Sequence, residues 1–509
     1  MIDAHGLAVA PGFINMLSWS NESLLVDPRG QSELRQGVTL EVMGEGWSMG
    51  PLTDRMKALA IKQQGDIKYP IQWTTLGDYL NFLQRKGTSM NVASFVGATT
   101  IRQHELGEKD VNPTPAQLDR MRGLVRQAME EGALGVGTAL IYPPGTFAET
   151  DELVALTTEA AKCGGMYISH MRSEGDRLLE SIDEVIDISR RSGAPAEIYH
   201  LKQIGRANWG KLGPALAKIE AAQAAGLHIT ANMYTYTAGG TGLAASMPPW
   251  VQDGGNDAML RRLKDPAVVR RLKREMVKPG SGWENLYYHA GPDGILLASL
   301  TKPGLKPLIG KTIAQVAKER GVSPEQAVID IVREDQGQAG AVYFLMNEEN
   351  VRRQTSVPWI SFGSDAEAAA PEGVFLKSST HPRAYGNFAR FLGKYVREEK
   401  TTTLADAIRR LTALPASNLG LQDRGKLARG MAADVVLFDP LTIADHATYE
   451  HPMQYATGVH DVFVNGVQVL KAGEPTGATP GRFVKGPGWT GWPEGGACRN
   501  GGRRAAPLQ

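Results

Sequence analysis

Two histidines in this chain stand where metal chemistry could be done. His170 closes the apolar run MYISH, and His200 closes AEIYH about thirty residues later. If both runs are parallel strands, the two imidazoles leave neighbouring strand ends into one mouth, where they form a plausible pair of metal ligands. A satisfied core histidine is expected once, not twice in register. Asp365 ends a third such run, WISFGSD. It reads either as the N-cap of the Ala-rich segment that follows or, facing a metal, as the group that takes a proton from an activated water and passes it to a leaving amine. Glu45 follows VTLEVM inside GEGWSMG. Glycines on both sides let the backbone approach a ligand closely, and a carboxylate oxygen is a legitimate zinc ligand.

Three further polar groups follow apolar runs. Tyr142 in LIYPPG can donate to a developing oxyanion. Lys202 lies two residues past His200 and points the same way on a strand. Arg383 in THPRAYGNF offers a fork that matches a carboxylate. Each alone fits a structural ion pair equally well; their shared rim favours a site.

The elements that must position these groups are legible as a pattern. From Leu7 to about Asp365, short apolar runs alternate with helical stretches: LAVAPGFINML, VTLEVMGE, VASFVGATT, LGVGTALIY, MYISH, AEIYHLK, HITANMYTY and WISFGSD. The runs are continuously apolar, the signature of parallel strands covered on both faces. Residues 177–191 place Leu178, Ile182, Val185, Ile186 and Ile188 on one helical face. Roughly eight such units predict an α/β fold, a (β/α)8 TIM-like barrel over residues 13–415. No GxGxxG follows the first run, which disfavours an open doubly wound sheet. A charged stretch over about 248–340 interrupts the barrel between its seventh and eighth strands, either as a decorated loop or as a lid over the mouth. Residues 1–12 and 416–481 read as parts of a small β-sandwich, the first truncated, and 482–509 as a loosely held Gly-rich tail.

Composition sets the outer bounds. The 509 residues carry 55 Lys+Arg against 54 Asp+Glu, a formal charge of +1, so no basic excess exists for nucleic acid. Hydrophobic content of 42% and charged content of 21% belong to an ordinary globular chain. No apolar stretch approaches a membrane span. Cys163 and Cys498 are too few for a disulfide framework or a Cys-only zinc site. The first residues carry no signal-peptide pattern, which makes the cytoplasm the default location, or an exported one if the true start lies upstream.

These motifs together resemble the amidohydrolase superfamily, and within it the D-aminoacylases. APGFIN, GVTLEVMGEG, YPPGTFA, SHMRSEGD, YHLKQIG, SFGSD, HPRAYGNFAR and the closing GKLARGMAADVVLFDP carry the resemblance in order along nearly the whole chain. It implies a zinc-dependent barrel with a small β-sandwich that hydrolyses the amide of N-acyl-D-amino acids. His170 and His200 match the ligands of a tightly held zinc, Asp365 the catalytic acid/base, and Tyr142 the oxyanion donor. Lys202, Tyr236 and Arg383 fall near positions that engage the substrate carboxylate. The chain departs from the pattern at three places. Leu17, Ser18 and Trp19 replace a His-x-His pair, and neither Leu nor Trp can ligate a second metal. Glu45 stands in for a cysteine ligand, which loosens the preference for zinc and admits manganese or another divalent ion. Few residues precede the APG motif. The expected partner is a small molecule with a carboxylate beside an amide. The same scaffold would also serve a cyclic-amide hydrolase, although TALIYPPG lacks a bridging lysine, or a barrel that has lost catalysis and only binds.

Overall fold

The apolar runs become the staves of a closed barrel because they are buried on both faces. In the computed structural model, which describes residues 4–280 and 282–498, the strands are β2 (Phe13–Asn15), β3 (Val38–Met43), β4 (Asn91–Ser94) continuing as β5 (Val96–Gly97), β6 (Gly135–Ala139), β7 (Met166–His170), β8 (Ala196–Ile198), β9 (Ile229–Met233) and β13 (Ile360–Phe362). They pair in parallel in that order. The cylinder closes where Met16 N donates to Phe362 O at 3.1 Å and Asp365 N donates to Leu17 O at 2.9 Å. Its interior is filled by Met16, Leu40, Phe95, Ile168 and Tyr199, all essentially inaccessible to water. Among the described residues, no helix is long and apolar enough to cross a membrane.

The surrounding helices obey local rules. Leu178–Ser192 buries Leu178, Ile182, Val185 and Ile188 against the barrel and ends at Gly193, whose φ of 75° is left-handed. Pro115–Glu131 starts in a capping box, in which Thr114 and Gln117 each bond the other's backbone.

The interruption of the barrel is wider than 248–340. It begins with β10 (Ala238–Gly242) and ends with β12 (Gly340–Phe344), which pair antiparallel with each other and with β11 (Ile295–Ser299). Leu243, Met247, Leu297, Val328 and Ile331 belong to a core separate from that of the barrel. The segment is a small domain over the mouth, and its first strand, AGGTG, has Thr241 as its one strand-favouring side chain.

β1 (Ala8–Pro11) joins β14 (Val435–Phe438), β15 (Val459–Val464), β16 (Val467–Lys471) and β17 (Glu474–Pro475) in one antiparallel five-stranded sheet beside the barrel. Chain ends far apart in sequence thus build one unit. The Gly-rich stretch expected as a loose tail from 482 is instead packed through Gly488, whereas 489–490 and 493–497 are exposed. Val92 N donates to Arg482 O and Val484 N to Val92 O, at 3.0 and 2.9 Å, while Phe483 and Val484 are buried beneath the barrel. Cys498 is paired with Cys163 in a disulfide. The remainder of the expected tail, 499–509, lies outside the described residues.

Candidate active site

His170 is the last residue of β7, and His200 lies two residues past β8, so both project from the C-terminal ends of adjacent staves. Glu45 reaches them from the loop after β3. The glycines flanking it are required by the backbone: Gly44 and Gly46 have φ of 104° and 70°. A side chain on Gly44 would meet Phe95 O at 2.3 Å, and one on Gly46 would meet Ala139 Cβ at 2.6 Å. Glu45 Oε1 lies 3.0 Å from His170 Nδ1 and 2.9 Å from His200 Nε2. One donor atom from each of the three residues falls within 4.8 Å of the others, and all three side chains are buried.

Electrostatics favour the ionised Glu45 carboxylate. Burial opposes the charge of Glu45, yet His200 and His170 hold its carboxyl well below the usual carboxylate range. Burial and Lys202 likewise oppose protonation of His200, but Glu174 and Glu45 prevail and push it up to about 9. Glu174, which the sequence does not single out, joins the cluster. Its carboxylate accepts from Lys202 Nζ at 2.8 and 3.0 Å, and its Oε1 lies 3.0 Å from His200 Nδ1. A carboxylate behind an imidazole fixes the tautomer whose other nitrogen faces a cation. The only signal in the sequence was its place four residues after His170 in SHMRSEGD.

The donor chemistry fits a divalent ion. Two imidazoles and a carboxylate are a ligand set of catalytic zinc sites, which keep a further position open. His170 Nε2, buried, has no hydrogen-bond partner among the described residues.

Asp365 completes the mouth from the opposite side. Its φ of 53° is left-handed, uncommon for any residue but glycine, and strain of this kind collects at functional sites. Its Oδ2 lies 2.8 Å from Arg383 Nη1, and its Oδ1 accepts from Trp19 Nε1 at 3.0 Å. Burial raises the Asp365 carboxyl above its ordinary value, Arg383 opposing and Glu45 reinforcing. Tyr142 sets its ring edge-on to His170, with centroids 5.2 Å apart. Burial pushes its hydroxyl well up, so it stays protonated and able to donate.

A cavity of about 520 Å³ joins these groups. Trp47, Ile141, Leu286, Tyr343 and Leu345 give it an apolar wall, and the last three come from the inserted domain. Glu45, Tyr142, His170, His200, Lys202, Asp365 and Arg383 all line the cavity. Tyr236 does not. Its hydroxyl donates to Asp445 Oδ2 at 3.3 Å, and Tyr234 lines the cavity in its place, under the Arg383 guanidinium at 4.6 Å. β9 ends at Met233, so the alternation of a strand no longer dictates which way residue 236 points.

A closed parallel barrel with this mouth, and a small β sheet built from both chain ends, has the architecture of an amidohydrolase. A model described as the amidohydrolase family matches residues 303–470. The chain is 32% identical over 491 residues to the D-aminoacylase of Alcaligenes xylosoxydans xylosoxydans, covering 95% of this chain and 88% of that one. It superposes with a TM-score of 0.76 on N-acyl-D-glutamate deacylase from Bordetella bronchiseptica complexed with zinc and a phosphonate mimic of the tetrahedral intermediate, at 30% identity over 95% of this chain and 90% of that one. A D-aminoacylase structure described by the one-metal activation and second-metal attenuation of its binuclear centre matches with the same score, identity and coverage. The chain belongs to the D-aminoacylase family of amidohydrolases.

Proposed function

We propose that this protein hydrolyses the amide of an N-acyl-D-amino acid at a single divalent ion, zinc or manganese, held by Glu45, His170 and His200. The observation that carries the reading is the convergence of one oxygen and two imidazole nitrogens behind a cavity that also holds Asp365 and Arg383. A cation there supplies Lewis acidity, lowering the pKa of water toward ~7 and polarising a carbonyl. The protein's own groups do the rest. Asp365 takes the proton of the attacking water and delivers it to the leaving nitrogen. The Tyr142 hydroxyl donates to the oxyanion, a contribution typically worth about 3 kcal/mol. Arg383, whose second nitrogen Nη2 bonds Gly240 O at 3.3 Å, and Lys202 meet the substrate carboxylate. Stripping the purified protein with chelator, restoring zinc or manganese, and assaying N-acetyl-D-amino acids against their L-enantiomers tests the proposal. Turnover should vanish and return with metal, and only the D-series should be cleaved. Activity indifferent to the chelator would overturn it.

A further inference from the structure

Trp19 stands between the two halves of this site, and its indole N–H is shared. Nε1 lies 2.9 Å from Glu45 Oε2 and 3.0 Å from Asp365 Oδ1. Two carboxylates that meet across a buried cavity repel unless something positive lies between them. That place suits a cation, with one oxygen from each carboxylate already turned toward it. It is filled by a group that is donor only and has no lone pair to ligate a metal. The same N–H holds the second oxygen of Glu45, so Oε1 alone is offered to His170 and His200. On the other side it holds Asp365, whose remaining oxygen goes to Arg383.

The geometry points to Trp19 as a positioning residue that replaces a second metal ion: its N–H bridges Glu45 and Asp365, limits the site to one cation and fixes both carboxylates before substrate arrives. This inference rests on the metal-dependent reading above. It sets the chain apart from the D-aminoacylase described by attenuation through a second metal, because here excess metal finds no seat between the two carboxylates.

Metal-free full-length protein, its Trp19→Phe and its Trp19→His variants would be titrated with zinc, reading zinc bound per chain by elemental analysis and intrinsic tryptophan fluorescence together. Wild type should bind a single equivalent, with an emission change that saturates at that equivalent as Glu45 is neutralised beside the indole. Trp19→Phe keeps a ring and loses the N–H. Its zinc affinity should fall on the order of tenfold, as for other residues that orient a ligand. Trp19→His places a lone pair in the gap and should bind a second equivalent, with turnover that falls as zinc is raised, whereas wild-type turnover stays level. Two equivalents bound by wild type, or a zinc affinity unchanged in Trp19→Phe, would overturn the role of Trp19. No zinc bound at all would instead remove the metal-dependent reading, so the two failures are distinguishable.

Discussion

The two ends of the barrel are built by opposite rules. At the C-terminal end of the staves, His200 and Asp365 adopt left-handed backbone conformations. Three carboxylates, Glu45, Glu174 and Asp365, are buried there beside Lys202 and Arg383. The hydroxyl of Tyr234 and the Nε of Arg383 have no hydrogen-bond partner among the described residues. At the N-terminal end, the chain from Arg482 is laid under the staves with regular backbone bonds, including Gly486 N to Gly132 O at 2.9 Å. Val484 packs with the interior residues of the staves and Phe483 with the core outside them, and Lys485 Nζ lies 3.4 Å from the Phe483 ring centroid. One end holds unfavourable groups in place for chemistry, and the other supplies stability without chemistry. This division is common in such barrels, and it can be broken experimentally from either side.

The largest effect is expected at the mouth. Asparagine tolerates the left-handed backbone of Asp365 better than other residues and keeps an oxygen for Trp19, but cannot carry a proton between water and leaving group. Asp365→Asn should therefore lower kcat by about 10³-fold while bound zinc, measured by elemental analysis, stays at the wild-type level. Loss of zinc along with turnover would mean that Asp365 holds the ion. At the other end, Phe483→Ala should cost about 3 to 5 kcal/mol in denaturant unfolding and leave kcat/KM unchanged well below the melting temperature. A fall in kcat/KM there would show that the two ends are coupled.

How much of this division could be read from the residues follows from what each rule leaves in the sequence. The staves announce themselves because a sheet covered on both faces needs unbroken apolar runs. His170, His200 and Asp365 announce themselves because polar residues close such runs. Glu174 does not, because its meaning lies in a pairing with Lys202 across two strand ends, and a lone glutamate in a loop reads as a solvated charge. Trp19 is half legible: the resemblance places it where a His-x-His pair would stand, but only the distances of its N–H to Glu45 and Asp365 show what it meets there. The segment after Arg482 lacks periodicity because backbone bonds and one aromatic hold it, not a repeating face. The inserted domain starts ten residues before the expected boundary because AGGTG pairs through its backbone alone.

The wall just below the mouth extends the rule of the active end by one layer. Asn15 bonds Glu41 Oε2 at 2.9 Å and Ser364 Oγ at 2.9 Å, and its Oδ1 accepts from Ser364 N, next to Asp365. Burial pushes the Glu41 carboxyl up to about 7. A carboxyl raised on folding stabilises most below the unfolded-state value and loses that contribution as pH rises through the folded one. Stability should therefore decline between about pH 5 and 8, by up to roughly 3 kcal/mol for a shift of this size. Glu41→Gln, which mimics the protonated form, should flatten the decline in thermal unfolding measured across that range. An unchanged slope would assign the pH dependence to other groups.

The smallest effect concerns the two tyrosines that follow β9. Tyr236 was expected at the substrate and instead faces Asp445, which also holds Arg390 at 3.1 Å and so keeps a partner if the hydroxyl is removed. Tyr236→Phe should cost about 1 kcal/mol of stability, as one hydrogen bond does, and should leave kcat/KM essentially at the wild-type value. The same change at Tyr234, whose buried hydroxyl has no hydrogen-bond partner among the described residues and lies beside the cavity, must show the larger loss, carried by KM. If Tyr236→Phe were instead the more damaging for turnover, the chain after β9 would have to turn in the working enzyme, and the boundary between the active mouth and its supporting sheet would lie beyond Asp445.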